Sequence, residues 1–149
     1  MDRIEVVVSQ FKEGFNCAQA ILSTYAPLFG IDRKKALKIA TPFGAGLGRM
    51  GEVCGAVSGA LMVLGLDLGR ASIEDIDAEE KTYTFVREFI DRFEEKNKSI
   101  FCKELLGYDI STPKGLKMVN EKNISGTLCP GFVRDAAVIL EDLLVVLRR

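Results

Sequence analysis

Four cysteines, Cys17, Cys54, Cys102 and Cys129, are the residues of this 149-residue chain whose type and placement point to chemistry. A thiolate is both a nucleophile and a soft ligand, so such residues support disulfide exchange or hold zinc or an iron–sulfur cluster. No CxxC pair occurs, which leaves out a thioredoxin-type motif and a zinc ribbon. Any joint site must be assembled by folding. The chain contains no histidine. That removes Ser-His-Asp and Cys-His catalysis, His-bearing zinc sites and His-ligated haem, so any metal here is held by sulfur or oxygen.

All four cysteines are predicted at helix starts. Cys17 follows Asn16, whose side chain suits a cap, and Cys54 follows a glycine-dense turn containing Gly44, Gly46, Gly48 and Gly51. Cys102 lies near the start of a short helix, and Cys129 precedes Pro130, which reads as the opening of the last helix. Unpaired amides and the positive end of the helix dipole favour a thiolate, lowering its pKa from about 8.5. Taken singly, each cysteine is better explained as a small buried hydrophobe. The shared placement of the set favours chemistry.

The element that must position them is the run from Pro42 to Gly69. After the glycine turn, Val53 to Leu66 has no charged side chain and reads as a buried central helix over about 52–66. A membrane span needs about 20 apolar residues, so this is a core helix. Gly55 and Gly59 cost helix propensity and point to a closely packed neighbour. Around it, Ile4 to Phe11 has helical spacing, Cys17 to Phe29 is a second helix closed by Gly30, and Asp32 caps a third from Arg33 to Ala40. A long helix opens at Asp77, Glu79 and Glu80 and reaches Asn97, with Tyr83, Val86, Ile90 and Phe93 on one face. Ser99 caps a short helix through Cys102 to Leu106, and Thr112 with Pro113 begins another to Asn120. Ile124 to Leu128 reads as loop. The terminal helix from Pro130 carries a stripe of Phe132, Ala136, Leu140, Leu143 and Leu147, with further apolar residues outside it, and this predicts a homodimer through the C-terminal helix. The fold class is all-α, a single domain over 1–149 built as a bundle of about seven helices.

Gly46 to Gly51 also matches GxGxxG, with Asp67 about 20 residues on, where a dinucleotide fold places its ribose acid. That motif requires a preceding strand, and the residues before it read as helix, so neither nicotinamide nor flavin is expected. The same turn is a candidate anion site formed by Gly46, Gly48, Arg49 and Gly51. The 20 basic and 21 acidic residues give a net charge of −1, with no footprint for nucleic acid or an anionic membrane. The N-terminus lacks the basic start and apolar middle of a secretory signal, so the expected location is cytoplasmic, where thiols are kept reduced.

Gly14 to Ala20 and Gly48 to Gly59, followed by Cys102 and Cys129, resemble the C_GCAxxG_C_C family of redox-active proteins. Where the family pattern has Gly-Cys-Ala, this chain reads Cys54-Gly55-Ala56. The resemblance implies one site gathered from Cys17, Cys54, Cys102 and Cys129, binding an iron–sulfur cluster or other thiolate-bound metal, or cycling between dithiol and disulfide with an electron-transfer or thiol redox partner. A related helical domain occurs in split-Soret cytochromes; haem is not expected here, since CxxCH is absent. The competing expectation is a helical scaffold whose cysteines are packing residues.

Overall fold

The computed structural model describes residues 1–148, with Arg149 outside them. Among these residues the chain is all-α, with eight helices: α1 (Arg3–Glu13), α2 (Cys17–Tyr25), α3 (Arg33–Ala40), α4 (Gly55–Leu68), α5 (Ile76–Asn97), α6 (Cys102–Leu106), α7 (Pro113–Glu121) and α8 (Ile124–Leu143). Short 3-10 turns cover Ala26–Phe29, Thr41–Phe43 and Val145–Arg148. No strand forms among the described residues, only an isolated antiparallel bridge between Val53 and Phe101. None of their helices is long and apolar enough to cross a membrane.

Polar side chains set most helix starts by accepting an orphan first-turn amide. Asp2 receives Glu5 N, Asp32 receives Lys35 N, Asp75 receives Ala78 N and Thr112 receives Gly115 N. The long helix is thus capped by Asp75, and Asp77 sits in its first turn. Ser99 does not cap α6; its hydroxyl donates to Glu104 and accepts from Phe101 N, leaving Phe101 at the cap position. Pro27 falls where α2 was expected to continue to Phe29, and the chain tightens there into a 3-10 turn ended by left-handed Gly30.

The central helix α4 buries residues around its circumference, including Ala56, Val57, Ala60, Val63 and Leu64. Its most extensive partner is α2, while α5 and α8 cover other sides. Close approach to α2 is what Gly55 and Gly59 permit: a Cβ on Gly59 would stand 3.0 Å from Ala18 O and 3.1 Å from the Ile21 Cβ. Along α5, Phe89 and Phe93 are fully buried, but Tyr83 is 56 % exposed and does not continue their face.

Two polar anchors close the bundle. Tyr25 donates to Glu141 at 2.7 Å, and Arg3 Nε reaches the same carboxylate at 3.0 Å, so α1, α2 and α8 share one charge-assisted knot. Asp67, at the end of α4, accepts the amides of Val145 and Val146 at 2.6 and 3.3 Å. The acid in the dinucleotide-like spacing therefore fixes the C-terminal turn.

The last helix begins at Ile124, earlier than Pro130, and Ile124 to Leu128 is helical. Asn123 O accepts from Thr127 N and Thr127 Oγ1, which secures the first turn ahead of the proline. Pro130 then lies inside the helix, where it supplies no amide to Gly126 O. Of the apolar stripe, Ala136, Leu140 and Leu143 are buried within this chain, while Phe132 and Leu147 are half-buried.

Candidate functional site

Two short segments cross beside the central helix and carry two of the cysteines. Cys54 N donates to Ile100 O and Cys102 N to Glu52 O, both at 2.7 Å, on either side of the Val53–Phe101 bridge. Side chains alternate across such a pairing, so Cys54 and Cys102 leave the same face as diagonal neighbours. The sequence offers no alternating strand pattern for this pairing, because it is one bridge long.

Cys17 enters from the start of α2. Asn16 receives Gln19 N at 2.9 Å while Gln19 receives Asn16 N at 3.0 Å, a complete capping box. Asn16 Nδ2 also donates to Thr41 O, and Gln19 Nε2 to Leu37 O and Thr41 Oγ1. This network ties the Cys17 end of α2 to the end of α3. Gly55 brings Cys54 alongside: a Cβ there would stand 3.2 Å from the Cys17 Cβ and 3.0 Å from Ala18 N.

All four cysteines are buried and none is in a disulfide. Cys129 and Cys54 are the neighbours that act on the Cys17 thiol, and Cys54 and Cys129 are the charges felt by Cys102. The fold thus brings the four distant sulfurs into one group. Hydrogen bonding to Cys129, then to Cys54, holds the Cys17 thiol well above its usual range, with burial adding to the effect. The bond with Cys17 pulls Cys54 down, against the opposing effect of burial, and the first-turn amides of Ala56 and Val57 assist. Burial, then the charges of Cys54 and Cys129, pushes Cys102 up to about 12.

The helix-start expectation holds for three of the four. Cys54 is the N-cap of α4, and Cys17 and Cys102 are the first residues of α2 and α6. Cys129 is not at a helix start. It lies in the interior of α8 because that helix begins at Ile124, so the dipole argument does not extend to it.

Residues 15–143 match the family described as "Putative redox-active protein (C_GCAxxG_C_C)". The chain belongs to the C_GCAxxG_C_C family. No curated protein and no solved structure matches it. All four cysteines of this family member fall within the matched residues, and so does the glycine turn.

That turn is a left-handed coil. Ala45, Gly46, Leu47, Gly48 and Arg49 have φ of 54, 66, 67, 58 and 72°, and Gly48 N donates to Gly44 O at 2.9 Å. For L residues this hand brings Cβ against the following carbonyl, which is why glycines alternate through it. Glycine is also demanded by contact. A Cβ on Gly46 would stand 2.6 Å from Glu52 N and 2.7 Å from the Cys102 Cβ, while one on Gly44 would overlap the Asn16 side chain. The amides of Gly48 and Gly51, which an anion would have used, instead donate to Gly44 O and Ala45 O within the turn. Arg49 is exposed beside them.

Four thiols are a suitable donor set for zinc or an iron–sulfur cluster. Their placement is less suitable: among the described residues, no group of three or more cysteine or carboxylate side chains is arranged to hold a metal ion.

Proposed function

We propose that this chain is a thiol redox protein in which Cys54 and Cys17 cycle between dithiol and disulfide. The observation that carries the reading is that Cys17 and Cys54 stand at the beginnings of two helices packed so closely that a Cβ on Gly55, next to Cys54, would lie 3.2 Å from the Cys17 Cβ. In the reductive direction the Cys54 thiolate attacks one sulfur of a substrate disulfide, forming a mixed disulfide and releasing the first substrate sulfur, which takes a proton from water. Cys17 then gives its proton to solvent, and its sulfur attacks the Cys54 sulfur. The second substrate thiol leaves, and a Cys17–Cys54 disulfide remains. Two electrons pass from the protein to the substrate. Cys129, whose influence on the Cys17 thiol is the largest, is a second candidate partner for the same sulfur.

The test is to oxidise the folded protein with a small disulfide and map the bonds formed by peptide mass spectrometry. Recovery of Cys17–Cys54 supports the reading. Four free thiols after oxidation, with slow and uniform alkylation in the native state, supports the scaffold instead. The four-thiol donor set is the reason to test a second reading, a thiolate-bound iron–sulfur cluster. Stoichiometric iron and sulfide with a visible spectrum after anaerobic purification would replace the dithiol cycle with that reading.

A further inference from the structure

We infer that the left-handed turn Ala45–Arg49 is a movable cover over the thiol cluster, and that its displacement is the route by which a disulfide reaches Cys54 and Cys102. The inference rests on the proposed thiol chemistry only for what is admitted; the cover itself stands on geometry.

The turn packs on one cysteine-bearing element through Gly46, and the two residues that lead into it, Phe43 and Gly44, lie against two more. Gly44 lies against Asn16, immediately before Cys17; Phe43 O is 3.0 Å from the position a Cβ on Gly55 would take, next to Cys54; Gly46 is packed on the Cys102 Cβ. Gly44 and Gly46 are buried, while Leu47, Gly48, Arg49 and Met50 are exposed, so the turn has an inner face on the cluster and an outer face in solvent. The cysteines keep only 5 to 8 % exposure. Solvent depressions lie on both sides of the turn, one toward Asn16 and Thr41 and one toward Ile110 and Pro113.

The turn also holds its own reason to move. Ala45, Leu47 and Arg49 have side chains yet sit at positive φ, a conformation that L residues leave readily for the right-handed or extended regions. The internal bonds that oppose this release are Gly48 N to Gly44 O, Gly51 N to Ala45 O at 3.4 Å, and Glu52 N to Gly46 O at 2.9 Å. Strain at these positions lowers the cost of leaving the closed form.

The experiment measures native-state alkylation of each cysteine by N-ethylmaleimide, with peptide mass spectrometry as the readout, in the full chain. Ala45→Gly and Leu47→Gly relieve the closed form and are expected to slow reaction at Cys54 and Cys102 by roughly fivefold or more each. Gly46→Ala cannot seat its new Cβ in the closed turn and is expected to speed the same sites. Gly65→Ala is the control: it lies in α4 with nothing within 4 Å of its Cβ position, so it raises global stability without touching the turn. If Ala45→Gly and Leu47→Gly react at the wild-type rate, or if Gly65→Ala slows the reaction equally, there is no local cover. The two glycine variants remain decisive should Gly46→Ala fail to fold. A turn that gates alkylation in a protein whose oxidised form yields no Cys17–Cys54 disulfide keeps the cover and removes the redox cycle. Equal rates across the variants with that disulfide formed do the reverse.

Discussion

Gly55 lies so close to Cys17 that a Cβ on the glycine would stand 3.2 Å from the cysteine Cβ, and 3.0 Å from both Ala18 N and Phe43 O. The glycine following Cys54 is therefore what lets α2 and α4 bring two thiols together. Gly55→Ala gains about 1 kcal/mol of helix propensity but forces backbone apart on two sides, and overpacking of that kind costs about 1–3 kcal/mol. Net destabilisation is expected in urea unfolding. Gly65→Ala, facing open space on the same helix, is expected to stabilise by up to about 1 kcal/mol. A Gly55→Ala variant more stable than wild type would mean that α2 and α4 are not packed as described.

Asp67 holds the C-terminal turn through two backbone amides. Asp67→Ala leaves both without their acceptor, and a loss of about 1–3 kcal/mol is expected. Hydrogen exchange at Val145 and Val146 should speed up more than exchange in the middle of α4. Unchanged protection at those two amides would show that the carboxylate does not anchor them.

The fastest thiol in the native protein is expected to be Cys54, with an alkylation midpoint below the ordinary thiol value of 9.0. Its main cause is the bond with Cys17, so Cys17→Ala should move that midpoint upward, while Cys102→Ala should leave it below 9.0. The readout is the pH profile of alkylation at Cys54. An unmoved midpoint in Cys17→Ala would assign the effect to the Ala56 and Val57 amides alone.

Alkaline pH should destabilise the fold. Cys102 ionises at 9.0 when unconstrained and at about 12 when buried beside Cys54 and Cys129. Between those values the unfolded chain has released a proton that the folded chain retains. The stability present below pH 9.0 is therefore lost as pH rises toward 12, by about 1.4 kcal/mol per pH unit for this one group. Cys102→Ala should flatten the decline by that amount. Tyr25, whose phenol is raised first by burial and then by Glu141, adds to the loss above pH 10.0. A pH profile of urea midpoints checks both, and equal slopes in wild type and Cys102→Ala would contradict the Cys102 assignment.

Much of this architecture was legible from local chemistry. Asn16, Asp32 and Thr112 cap where a short polar side chain ahead of a helical pattern says they should, and the uncharged run before Asp67 is the central helix. Local chemistry misled where two signals competed. Pro130 reads as a helix start because proline suits that position, yet residues 124–129 were already helical, held from Asn123. The cost of an interior proline is outweighed there by the burial of Cys129, Val133 and Ala136 along the same helix. Similarly, Asp67 carries the spacing of a ribose-binding acid, while its partners are amides 78 and 79 residues away.

The sequence by itself determined that the chain is helical, that its four cysteines are the candidates for chemistry, and that glycine is needed around Cys54, because these follow from residue types and from spacing over a few turns. Only the tertiary structure decided which thiols meet. Cys17, Cys54, Cys102 and Cys129 are separated by tens of residues, and their contacts depend on a one-residue bridge, on glycines matched to backbone from another helix, and on a turn of the opposite hand. Each of these is a fit between distant surfaces, whose energy exists only after both sides are in place.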